Sequence, residues 1–121
     1  MRSRLLTSVG ALALTLGGLL ATAGQAAADP AHCSGWTTHP DYYSSGGISF
    51  KDGTYIRTGP YTDCTALGQG FHSQGINVHC ATTNGNGVLW VYLVDTSTGV
   101  AGWSAMSALN WNGGFIADCY Q

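Results

Sequence analysis

Past its first quarter the chain never holds an apolar period long enough for a helix. Its hydrophobic residues come in short runs, many alternating with polar ones, cut by Gly, Asn, Asp and Ser. Period-two alternation between turn residues is the pattern of strands. Thr54–Thr58 alternates and is rich in β-formers, and Gly59-Pro60 stops it, because proline cannot donate to a ladder. Ile76–Cys80 sets Ile76, Val78 and Cys80 on one face against Asn77 and His79. Val88–Val94 is the most apolar run, Val100–Ser104 a further strand and Leu109–Trp111 the last. Ile48–Phe50 can add a short strand before the Lys51-Asp52-Gly53 turn. Thr83-Asn84-Gly85-Asn86-Gly87 holds two Asn-Gly pairs, a strong hairpin signal, and residues 95–99 form the next turn. Residues 59–74 read as one long connection, and Ala105–Ala108 as a single helical turn. Five short strands with these connections suggest a small barrel or paired sheets.

The first quarter is different. Arg2 and Arg4 precede a stretch without charge from Leu5 to Ala28, apolar first and then rich in small residues. This order is that of a secretory signal peptide, with Ala26 and Ala28 placed for cleavage before Asp29. The expected organisation is a signal peptide over 1–28, an irregular lead over 29–47 with Trp36, Tyr42 and Tyr43, a β domain over 48–110 and a tail over 111–121. The expected location is extracellular or cell-wall associated, with no membrane attachment after cleavage.

Beyond the leader only Lys51 and Arg57 are basic, against six aspartates and no glutamate, a net charge of −4. Two cations cannot neutralise the phosphates that nucleic-acid binding requires, so that class is excluded. Cys33, Cys64, Cys80 and Cys119 all lie in the mature part. An even count in a short exported chain reads as two disulfides, and no close Cys pair suggests zinc. Four cysteines allow three pairings.

Four blocks, in order, resemble bacterial Src-homology-3-type domains: Tyr55-Ile56-Arg57-Thr58-Gly59-Pro60, Ala66-Leu67-Gly68-Gln69-Gly70, Trp90–Val94, and Gly102-Trp103 followed by Leu109. Ser104 and Ala108 depart from that family's pattern, which has a β-branched residue and an aromatic there. The resemblance implies an all-β, five-stranded SH3-like barrel, a form that leaves few free edges and suits a monomer. In such a barrel the long loop folds back over the sheet, which implies Cys64–Cys80. Cys33–Cys119 would then tie the two flanks, since domain termini often lie close together.

Candidate chemistry is sparse. No G-x-S-x-G turn appears, no cysteine is left over, and the aspartates sit mainly in turns. The expectation is a protein that is not an enzyme, with no metal and no cofactor. Tyr61, Phe71, Trp90 and Tyr92 are the candidate ligand-binding residues, since aromatics supply broad contact surface at low entropic cost. Expected partners are a cell-wall peptide or glycan, as the resemblance implies, or an extracellular protein. The alternative is a small extracellular enzyme, or an enzyme inhibitor presenting a disulfide-braced loop.

Overall fold

The computed structural model describes residues 28–39 and 47–120 of the 121-residue chain. Most of the expected signal peptide lies outside the described residues, as do Tyr42 and Tyr43 in the lead. Among the described residues no helix is long and apolar enough to cross a membrane.

Among the described residues seven strands form: β1 (Ile48–Phe50), β2 (Thr54–Arg57), β3 (Ala66–Gly70), β4 (Ile76–Thr83), β5 (Leu89–Asp95), β6 (Ala101–Ala105) and β7 (Leu109–Trp111). They make two sheets, one five-stranded in the order β3-β2-β6-β5-β4 and one two-stranded, β1-β7. All strand pairs are antiparallel. Single 3-10 turns occupy Ala31–Cys33 and Met106–Ala108.

The sheets are not closed into a barrel, which corrects the five-stranded SH3-like barrel that the resemblance implied. β3 and β4 stand at opposite edges of the larger sheet and do not pair. The free side of β4 is met instead, at Ala81, by the C-terminal segment. Ala81 donates its N–H to Ala117 O at 2.8 Å, Cys119 donates to Ala81 O at 2.9 Å, and Ala81 and Asp118 form a parallel bridge. With its N–H and C=O so engaged, Ala81 has neither left for a barrel-closing strand.

The large sheet carries a core on each face. Ile56, Val78, Val91 and Leu93 pack against Phe50 and Leu109 of the small sheet. On the other face Cys80, Trp90, Trp103 and Cys119 cluster, with Trp36 and Tyr92 against them. A β-bulge between Val78 and Cys80 divides β4 between the two. An extra residue in one strand reverses the facing of those beyond it. Val78 therefore enters the first core and Cys80 the second, not the shared face that simple alternation predicts.

That reversal decides the disulfides. The bonds are Cys33–Cys64 and Cys80–Cys119, not Cys64–Cys80 and Cys33–Cys119. Turned to the second face, Cys80 meets the segment running beside β4. Cys33 is brought to Cys64 because the lead crosses Gly59 at very close range. A Cβ on Gly59 would lie 2.5 Å from Cys33 Cα. Ser104, a departure from the family pattern, is fully buried and donates its hydroxyl to Tyr55 O at 2.8 Å. It adds a side-chain tie where β2 and β6 share a single register pair, Arg57 with Trp103.

Candidate functional site

The loop after β2 is heavily braced. Thr58 donates its N–H to Thr65 O at 2.9 Å, and Cys64 donates to Tyr61 O at 3.2 Å. Arg57 Nη1 donates to Cys64 O at 2.9 Å. From the next hairpin, buried Asn84 donates Nδ2–H to Pro60 O at 2.7 Å, and Gly85 N–H donates to the Tyr61 hydroxyl at 2.8 Å. Asn84 Oδ1 meanwhile accepts from the N–H groups of Asn86 and Val88, so one side chain shapes its own turn and locks it to the loop. The Asn-Gly signal marked this hairpin; the loop it holds was not legible from it.

Between loop and hairpin opens a cleft of about 580 Å³, lined by His32, Tyr61, Asp63, Asn86 and Trp90 among others. His32 Nε2 lies 2.7 Å from Asp63 Oδ1, with both side chains partly exposed. The carboxylate accepts, so Nε2 carries the proton and, in the neutral ring, Nδ1 holds the lone pair. Tyr61 packs on the imidazole at 4.3 Å between centroids, and Trp36 Nε1 donates to His32 O at 2.7 Å. The ligand-type atoms of His32, Cys33, Asp63 and Cys64 all lie within 4.8 Å of one another.

This constellation corrects the reading of the chain as plainly not an enzyme. A carboxylate orienting an imidazole is the arrangement from which general acid–base chemistry is built. While the Cys33–Cys64 bond stands its sulfurs offer no thiolate, and no described cysteine is free. Sequence reasoning set His32 aside with the other histidines because every cysteine had a disulfide partner, and nothing along the chain linked it to Asp63, 31 residues on. Each immediately precedes a cysteine, so the correct disulfide pairing would have brought them together.

The four expected ligand-binding aromatics are placed unequally. Tyr61 lines the cleft. Trp90 lines it too, yet is only 3% exposed and belongs to the second core. Tyr92 is half-buried, stacks edge-on against Trp103 at 5.3 Å, and lines a different pocket. Phe71 is exposed at the turn after β3, away from both.

The lead is fastened at its start by Asp29. Its carboxylate accepts from the Thr58 hydroxyl at 2.6 Å, and from the Thr65 N–H and hydroxyl at 2.9 and 2.5 Å. The Thr58 and Thr65 hydrogen bonds hold its pKa below the ordinary 3.8. A depressed carboxylate pKa contributes holding strength that is full above 3.8 and is lost as pH falls through the lowered value. Acid titration followed by tryptophan fluorescence should therefore show Trp36 changing only below 3.8, with Asp29→Asn removing that step. A step of the same size in Asp29→Asn would show that another group drives it.

Comparison with known proteins finds no matching family model, no matching curated protein and no matching solved structure. The Src-homology-3 resemblance thus has neither homology nor barrel closure behind it. What stands is a small, disulfide-stabilised, all-β two-sheet domain, with an aromatic cluster and a His–Asp pair beside a disulfide forming a surface suited to binding or catalysis.

Proposed function

We propose that this protein is an extracellular recognition domain of the inhibitor type, which docks the 59–64 loop and its cleft onto a partner protein such as a secreted hydrolase. The observation that carries this reading is the bracing of the loop by the Cys33–Cys64 bond together with Asn84 and Arg57. A loop held in one shape before binding loses little entropy on docking, the usual source of tight binding by small rigid inhibitors. Export supports it as well: the leader has the signal-peptide pattern, and paired disulfides belong to oxidising compartments. Thr62 and Asp63 are exposed at the tip, available to a partner.

A second reading is recognition of cell-wall peptide or glycan in the same cleft. Tyr61 beside polar Asn86, Asp63 and His32 favours it, since sugars pair an aromatic face with hydrogen-bonding groups.

Purified protein tested against a panel of secreted hydrolases, and in parallel for retention on peptidoglycan, separates the two. The expected result is saturable inhibition of one hydrolase class, weakened about tenfold or more by Thr62→Arg or Asp63→Ala, as for hot-spot residues. Retention on peptidoglycan without inhibition replaces the first reading by the second. Neither effect, or turnover of a substrate that His32→Ala abolishes, overturns the inhibitor reading.

A further inference from the structure

A second pocket, of about 340 Å³, shares no lining residue with the cleft. Its walls include Trp36 from the lead, Tyr92 from β5, Trp103 from β6 and the Asp29 side of the lead. Trp36 and Trp103 stand 6.3 Å apart at 69°, and Tyr92 and Trp103 stand 5.3 Å apart at 64°. Three rings steeply inclined to their neighbours make a corner and not a stack. Trp36, held by its bond to His32 O, and Tyr92 on β5 are half-buried and supply the open aromatic walls, while Trp103, only 2% exposed, is the floor against which both pack.

We infer that this pocket is an aromatic cage for a quaternary ammonium group. Aromatic faces attract a cation through their quadrupoles, and the attraction grows when the cation is desolvated. Asp29 adds a negative charge to the same pocket, and neither Lys51 nor Arg57 lines it. Arg57 is engaged elsewhere, over the Tyr55 ring at 4.8 Å and on Cys64 O. The choice of a fully alkylated cation over a primary ammonium follows from hydrogen bonding. The Asp29 oxygens already accept three bonds from Thr58 and Thr65, so the carboxylate offers charge more readily than a vacant acceptor. A primary ammonium must replace the water bonds to its N–H groups, whereas a trimethylammonium group has none to replace. The volume suits a trimethylammonium head with a short appended chain and falls within the range of small-molecule sites.

The test uses the disulfide-intact protein and choline chloride as the probe, with 3,3-dimethylbutan-1-ol as the uncharged analogue of the same shape. Binding is followed by tryptophan fluorescence and by the indole N–H resonances in NMR. Choline should saturate, and the neutral analogue should bind on the order of tenfold more weakly, the value of a part-desolvated cation–π contact. Ethanolamine, the primary analogue, should also bind more weakly than choline. Trp36→Leu should abolish the choline response of Trp103, and Asp29→Asn should weaken it several-fold. Equal binding of choline and the neutral alcohol, or no saturation with choline, overturns the cage. Those comparisons are made on the unaltered protein, so they decide the matter even if Trp36→Leu does not fold. Because the pocket and the cleft have separate walls, failure here leaves the inhibitor reading standing, and the reverse holds.

Discussion

Replacing both cysteines of the first bond, Cys33→Ser/Cys64→Ser, should lower the unfolding free energy by about 3.5–4 kcal/mol. That is the chain-entropy value for a loop of this length, and the two residues are 31 apart. Domains of this kind have roughly 5–15 kcal/mol in all, so the melting temperature should fall by roughly 15 °C or more. The variant should retain its large sheet, because Cys80–Cys119 still ties the C-terminal segment to β4. What it should lose is everything built on the lead: the His32–Asp63 pair, the Trp36 wall of the cage and the brace on the 59–64 loop. Calorimetry reads the first effect, and choline binding with hydrolase inhibition reads the second. A variant that melts within a few degrees of the unaltered protein would mean that Asp29 and the Gly59 contact hold the lead without the bond. The partner variant Cys80→Ser/Cys119→Ser opens a similar span, 39 residues, and should cost about 4 kcal/mol. Its damage should fall on the Trp90–Trp103 cluster instead.

Truncating Phe50 to alanine should cost about 3–5 kcal/mol, the usual penalty for emptying a core aromatic site. Phe50 is fully buried, and it sits on β1, which pairs only with β7. Its ring is the largest fully buried side chain joining the small sheet to the large one. That ring lies flat against Gly70 at the end of β3, where an added Cβ would come within 2.5 Å of Phe50 Cδ1. Gly70→Ala should therefore overpack the same site at a cost of about 1–3 kcal/mol. The two sites share one space, so Phe50→Leu/Gly70→Ala should be less destabilised than its single changes added together. Urea unfolding of the set decides this. Strict additivity would show that the ring moves aside for Cβ and that the contact with Gly70 is incidental.

How much of this was legible beforehand differs from element to element. Ile48–Phe50 and Leu109–Trp111 were read at their observed limits, and β2, β5 and β6 within a residue or so at each end. These strands declare themselves through alternation and through the turns between them. β3 was missed and taken for part of a long connection. Ala66-Leu67-Gly68-Gln69-Gly70 contains two glycines and no β-branched residue, so nothing local favours extension. It is a strand because β2 offers it a ladder from Thr54↔Gly70 to Arg57↔Ala66. Tyr61 and Trp90 were read as ligand-binding and do line the cleft, but Trp36, Asn84, His32 and Asp63 were given no such role.

The sequence by itself determined the things that depend on neighbours along the chain. Alternation and Asn-Gly or Asp-Gly turns made the protein all-β, and four cysteines with none left over pointed to two bonds. The tertiary structure decided whatever depends on residues far apart meeting. One extra residue in β4 sent Cys80 to the opposite face, and a glycine at position 59 let the lead close on the loop. The C-terminal segment engaged, at Ala81, the edge that a barrel would have needed. Each of these is a small local event whose consequence is long-range, because a strand transmits a one-residue shift to every side chain beyond it. The cysteine intervals carry no record of such shifts, which is why the pairing, and with it the His32–Asp63 pair and the aromatic cage, appears only in three dimensions.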